Sequence, residues 1–224
     1  MKVFVVIPAY NENSIIRNVV TEVIALGYAA VVVDDGSDEP ISKVLEHTNA
    51  YVLRHMVNLG QGAALQTGIT FALQNDADFI VNFDADGQHN ANDIIKLLDP
   101  LIKKKADIAL GSRFLKDSYH NMNSSRKFVI KVARFINYLF TGILLSDAHN
   151  GLRAFTKEAA RQINIKQNGM SHATEILSII KKEKLVYMEV PVSIIYTDYS
   201  NKKGQSIWNS FRIFFDLLLN KIFR

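Results

Sequence analysis

The chain has 224 residues, 48% of them hydrophobic and 21% charged, enough apolar material for one sizeable core and too much for a disordered chain. It contains no cysteine, which excludes disulfides, thiolate metal sites and thiol nucleophiles. Lys and Arg number 26 against 22 Asp and Glu, a net charge of +4, which suits an anionic ligand without calling for nucleic acid.

Met1 and Lys2 lead into Val3 to Ile7, an apolar run too short for a signal peptide that predicts a first strand. Polar Pro8-Ala9-Tyr10-Asn11-Glu12 follows it, and helical spacing then covers Ser14 to Leu26. A second strand, Ala29 to Val33, ends in Asp34-Asp35-Gly36-Ser37. A helix over about Ile41 to Thr48 leads to a short strand, Tyr51 to Arg54, and Asn58-Leu59-Gly60-Gln61-Gly62 opens a helix to about Gln74. The apolar run Phe79 to Phe83 predicts a buried strand that delivers Asp84-Ala85-Asp86-Gly87-Gln88-His89. Ala91 to Lys104 reads as a further helix, and Ile108 to Leu110 as a strand running into Gly111-Ser112-Arg113-Phe114.

This alternation predicts an α/β fold with a parallel sheet and helices on both faces, whose ligands gather at the carboxyl ends of the strands. Three polar clusters follow strand ends here: Pro8 to Glu12, Asp34 to Ser37 and Asp84 to His89. The acidic one carries the chemistry. A strand end fixes the backbone, so Asp84 and Asp86 can aim oxygens at one Mg²⁺ or Mn²⁺, with the Gln88 amide oxygen as a further ligand and phosphate oxygens in the remaining positions. Taken alone, the same residues also read as an ordinary acidic turn. No Walker motif and no Gly-x-Gly-x-x-Gly follows the first strand, which excludes a P-loop kinase and a dinucleotide oxidoreductase. Pro8 to Asn13 is not the basic Gly-rich triphosphate loop that a nucleotidyltransferase needs.

In the second half, Arg126 to Leu145 is mostly apolar, yet Lys127, Lys131 and Arg134 interrupt it at helical spacing. That pattern fits a helix lying in a membrane interface rather than spanning it, and equally a helix packed on the sheet. Ile207 to Arg224, with Trp208, Phe211, Phe214 and Phe215 beside Arg212, Lys221 and Arg224, repeats it. His89 and His172 are single histidines, expected to make structural hydrogen bonds, with His89 also placed to flank a metal.

Pro8-Ala9-Tyr10-Asn11-Glu12, Val33-Asp34-Asp35-Gly36-Ser37, Asn58-Leu59-Gly60, Asp84-Ala85-Asp86, Gly111-Ser112-Arg113 and Gly151-Leu152-Arg153 stand in the order and spacing of family 2 glycosyltransferases. Over nearly its whole length the chain resembles the dolichol-phosphate mannosyltransferase and bacterial polyprenyl-phosphate glycosyltransferase branch. The resemblance implies a GT-A fold, a Rossmann-like, mostly parallel sheet, and a metal-dependent enzyme that inverts the anomeric carbon of a UDP- or GDP-sugar. Pro8, Tyr10, Glu12, Asp34 and Asp35 would line the nucleoside pocket, and Asp84, Ala85, Asp86 and Gln88 would hold the metal and diphosphate. Gln61 departs from the family, where a lysine is frequent at this place.

By the same resemblance, Arg113, Arg126, Arg153, Lys202, Lys203 and Ser206 would surround an acceptor phosphate, and Tyr196 to Ser206 would form a lid over the donor. Asp147 and Glu175 are carboxylates where a base or an orienting group would lie. A lipid phosphate is already deprotonated and attacks directly, whereas a sugar hydroxyl needs a positioned base. Polyprenyl phosphate is the expected acceptor. The hydroxyl of a growing polysaccharide or glycolipid is the alternative, with a non-catalytic nucleotide-sugar-binding subunit behind it. Residues 1–206 would form the catalytic domain and 207–224 a C-terminal amphipathic helix. The protein would then sit on the cytoplasmic, inner face of the cell membrane, directly or through a small membrane-anchoring protein.

Overall fold

The computed structural model of the chain describes residues 1–122, 124–147 and 150–196. Lys202, Lys203, Ser206 and the C-terminal helix expected at 207–224 lie outside them, as does the side chain of Arg126. In chain order the elements are β1 (Val3–Ala9), α1 (Ile16–Ala25), β2 (Ala29–Asp34), α2 (Ile41–Val44), β3 (Tyr51–Arg54), α3 (Gln61–Gln74), β4 (Phe79–Asn82) and α4 (Ile94–Ile102). There follow β5 (Ile108–Ser112), β6 (Tyr119–His120), α5 (Ser124–Thr141), β7 (Arg153–Thr156), α6 (Lys157–Gln162), α7 (His172–Lys182), β8 (Tyr187–Pro191) and β9 (Ser193–Ile194).

Seven strands form one sheet in the order β3-β2-β1-β4-β7-β5-β8, and β6 pairs with β9 in a small second sheet. All pairings in the large sheet are parallel except those of β7, which runs antiparallel to β4 and β5. The fold is therefore a mostly parallel, GT-A-like sheet with helices on both faces, as the alternation of the first half predicts.

Every residue of β1 is buried, because both faces of the sheet are covered. Val3, Val5, Ile7 and Ala9 join one core with Val19, Val20 and Val23 of α1 and Leu97, Leu98 and Leu101 of α4. Phe4 and Val6 join the other, with Leu65 and Ile69 of α3 and Ile176, Leu177 and Ile180 of α7. The helix expected over Ile41 to Thr48 is a single turn, because His47 takes a left-handed conformation (φ 66°) that ends helical geometry. The helix at 91–104 likewise starts as a 3₁₀ turn, Ala91–Asp93, capped by the Asn90 side chain.

The sheet places the site. From β1 the chain builds outward one way to β2 and β3, and the other way to β4, so a crevice opens between the loops after β1 and β4. Helix α3 packs hard under it: a Cβ at Gly68 would stand 2.2 Å from a methyl of Val6. Gly68→Val is expected to lower stability by about 1–3 kcal/mol, read as the urea midpoint by circular dichroism. An unchanged midpoint would mean that α3 does not rest directly on β1.

Candidate active site

Register brings the first two polar loops together. Ala9 of β1 lies beside Asp34 of β2, and the Asp35 N–H donates to the Ala9 carbonyl at 2.8 Å. The Asn11 N–H donates to Ser37 Oγ at 2.9 Å, and the Asn11 side chain exchanges hydrogen bonds with Asp38. Asp34 is fully buried; it accepts from the N–H groups of Ser37 and Ile41 and from Arg54 at 2.7 Å. Its contribution is the shape of the loop. Asp35 accepts from the N–H groups of Leu59 (3.0 Å) and Gly60 (2.7 Å) and contacts His55 Nδ1 at 2.7 Å. His55 reaches Thr67 of α3 through Nε2 at 2.9 Å. In the loop after β1, Tyr10 is 44% exposed and Glu12 is buried.

The loop after β4 holds Asp84 and Asp86. Asp84 accepts from the Gln61 amide at 3.1 Å and from His89 Nε2 at 2.9 Å, and its carboxylate lies so close to Gly151 that a Cβ there would meet Oδ2 at 2.2 Å. Burial pushes the Asp84 carboxyl up, but the His89 hydrogen bond and the charges of His89, His172 and Arg153 hold it below its ordinary value. Asp86 goes the other way: burial, then the neighbouring Asp84 charge, raise it. Asp86 accepts from the N–H and amide of Gln88. Arg153, buried on β7 beside Asn82, is pushed down to about 10 by burial against the pull of Asp84 and Asp147.

Just past the neighbouring strand β5, Arg113 is buried and faces Asp147. Its Nε donates to Oδ2 at 2.6 Å, its second terminal nitrogen to Oδ1 at 3.2 Å, and its own N–H to Oδ2 at 3.1 Å. The other terminal nitrogen donates to the Tyr196 hydroxyl. Burial works against the guanidinium charge, yet Asp147 and Tyr196 hold its pKa above the ordinary value. Glu189 of β8 accepts from the Ser146 N–H and hydroxyl, so the loop bearing Asp147 is fixed as well.

The glycosyl transferase family 2 model matches residues 4–163. The chain belongs to that family. It is 34% identical, over 98% of its length and 96% of the relative's, to the UDP-N-acetylglucosamine–dolichyl-phosphate N-acetylglucosaminyltransferase of Methanococcus voltae. Identity to the dolichol-phosphate mannosyltransferase of Pyrococcus furiosus is 31%, over 97% of this chain and 64% of the relative. Its fold superposes on glucosyl-3-phosphoglycerate synthase of Mycobacterium tuberculosis, crystallised with Mn²⁺ and UDP, with a TM-score of 0.74 at 17% identity, covering 98% of this chain and 79% of that one.

In this family 2 glycosyltransferase Asp84 feels the charge of Arg153, Asp86 feels Asp84 and Glu12 and is hydrogen-bonded by Gln88, with Ala85 between them in the same loop; Pro8 lies at the end of β1 and Asp34 ends β2, and Tyr10 and Asp35 follow those strands. Arg113 and Asp147 stand together, whereas Glu175 is turned away, accepting from the N–H groups of Lys166 and Gln167. Among the described residues no group of three or more His, Cys, Asp or Glu forms a metal cage. Two carboxylates of like charge and a Gln amide are instead a hard-oxygen set suited to Mg²⁺ or Mn²⁺ shared with a diphosphate. Sequence reasoning missed His55, Tyr196 as a partner of Arg113, and Glu189, each of which acts on a residue far off in the chain. Gly151→Ala is expected to displace the Asp84 carboxylate and weaken Mn²⁺-dependent nucleotide binding about 10–100-fold, measured by calorimetry. Unaltered binding would show that the position of Asp84 is immaterial.

Proposed function

We propose that this protein moves a hexose or N-acetylhexosamine from a UDP- or GDP-sugar to polyprenyl phosphate, with inversion, at a membrane surface. The observation that carries the reading is that both candidate bases are already committed. Asp147 is locked to Arg113, and Glu175 is spent on two backbone N–H groups. A sugar hydroxyl would need one of them for its proton, whereas a phosphate needs cations and no base. Arg113, held by Asp147 and Tyr196, is such a cation; the family resemblance adds Arg153, Arg126, Lys202, Lys203 and Ser206 to the acceptor set, the last three and the Arg126 side chain lying outside the described residues.

On the donor side, Asp35 fixes the loop at residues 59–60, and Pro8, Tyr10 and Glu12 wall the nucleoside. Asp84, Asp86 and Gln88 would hold Mg²⁺ or Mn²⁺, which neutralises charge developing on the departing nucleoside diphosphate. Gln61 donates to Asp84 where a lysine would reach for phosphate, so it serves the site by orienting a carboxylate. The named relatives support the acceptor class and make UDP-N-acetylglucosamine the first donor to try.

Among the described residues no helix is long and apolar enough to cross a membrane. Helix α5 leaves Val132, Phe135, Tyr138 and Leu139 exposed beside exposed Lys131, which supports peripheral contact with anionic lipid on the cytoplasmic face, alone or with a small anchoring protein.

Radiolabel from a panel of UDP- and GDP-sugars, with Mn²⁺ or Mg²⁺, is expected to appear in extractable, acid-labile undecaprenyl phosphate, and Asp86→Ala is expected to abolish it. Metal-dependent nucleotide binding without lipid product would favour a saccharide acceptor. Glu175→Gln is expected to keep kcat within about tenfold; loss of about 10²–10⁴-fold with folding intact would make Glu175 a base and overturn the phosphate reading.

A further inference from the structure

Beside Arg113 lies an open depression of about 330 Å³, lined by Arg113, Phe114, Leu115, Ser118, Tyr119 and His120. His120 belongs to β6, where it pairs with Ile194 of β9, and Ile194 in turn bridges to His89 at the end of the acidic loop. Two ladder steps, about 10 Å, therefore separate His120 from the loop that carries Asp84 and Asp86. The imidazole rests edge-on against Phe114, with ring centroids 5.6 Å apart, and its Nδ1 lies 3.4 Å from the Met122 N–H, leaving Nε2 as the donor of the neutral ring.

We propose that His120 is a proton-dependent cation of the acceptor-phosphate subsite, acting with Arg113 and Lys127, and that Phe114, Leu115 and Tyr119 receive the first carbons of the prenyl chain. This rests on the phosphate-acceptor reading above and adds a residue and a pH dependence to it. Three sets of groups act on the ring: Arg113 after β5, Lys127 in the first turn of α5, and Asp147 in the loop after α5. Burial, then Lys127 and Arg113, push the imidazole below its ordinary value, against the upward pull of a hydrogen bond to its own backbone and, after it, of Asp147. The free protein thus holds His120 neutral at neutral pH. A phosphate set among the same cations reverses the balance and draws a proton onto the ring, and by linkage the protonated ring tightens the phosphate. The advantage is present at low pH and is lost as pH rises through the pKa of the bound state.

The test is His120→Gln in the full chain, assayed for KM of a short-chain prenyl phosphate near pH 6 and near pH 8, with titration of the labelled wild-type imidazole by NMR. The expected result is a KM raised about tenfold at the lower pH and about twofold at the higher, the donor KM unchanged, and a wild-type His120 pKa that rises when prenyl phosphate is added. An equal rise in KM at both pH values would reduce His120 to a structural role and overturn the proposal. So would wild-type turnover with an unmoved imidazole titration, a readout that holds even if the variant fails to fold. Wild type that binds nucleotide-sugar but neither binds nor uses prenyl phosphate would overturn the acceptor reading itself. Inorganic phosphate that shifts His120 as far as prenyl phosphate does would remove Phe114, Leu115 and Tyr119 from the assignment.

Discussion

A guanidinium buried at the carboxyl end of β5 must keep its charge paired, and much of the second half of the chain is arranged around meeting that demand. Arg113 is held by two oxygens of Asp147 and by the Tyr196 hydroxyl. Removing one partner of such a pair typically costs about 3–5 kcal/mol, because the other charge is left buried and alone. Glu189 supports the pair from behind, since it holds the loop from which Asp147 reaches. Two segments distant in sequence, the Asp147 loop and Tyr196, are bound to one cation, and that cation is left with a fixed direction. A rigid arginine can meet a phosphate at little further entropic cost.

The same device recurs around the crevice. Loops beyond strand ends have no ladder partners for their N–H groups, and buried carboxylates supply acceptors in place of a neighbouring strand. Asp34 takes the N–H groups of Ser37 and Ile41, Asp35 those of Leu59 and Gly60, and Asp93 that of Ser193. Glu175 takes those of Lys166 and Gln167. An acidic inventory that looks catalytic when read along the chain is thus largely architectural. Asp86 differs from these: burial and then the neighbouring Asp84 charge hold its carboxyl above the ordinary value.

That distinction also marks what the sequence could convey. The strands β1 to β5 were legible because each is a short apolar run closed by turn residues, and the acidic loop because it follows such a run directly. Asp34 illustrates the limit: its motif reads equally as a pocket wall or as a helix cap, and only the positions of Ile41 and Arg54 decide what its oxygens meet. His55 carried no signal at all, since a lone histidine gains meaning from Asp35 and Thr67, which sequence spacing does not bring near it. Arg153 stands out in the sequence through the Gly151-Leu152-Arg153 motif, but nothing there marks Arg153–Thr156 as strand β7. It enters between β4 and β5 after a long helix, outside the βαβ alternation that predicts parallel pairing.

The small β6–β9 sheet gives the site its economy. Because β9 pairs with His120 on one edge and bridges to His89 on the other, one strand ties the loop that carries Asp84 and Asp86 to the depression beside Arg113. Asn121 reinforces the link by exchanging hydrogen bonds with the backbone of Tyr196, which in turn touches Arg113. In the proposed transfer, negative charge would pass from the attacking acceptor phosphate onto the departing nucleoside diphosphate as the new bond to the sugar forms and the old one breaks. A shared strand that fixes the spacing between their two sets of partners converts that encounter into positioning, which is where most of the catalytic advantage of such a site resides.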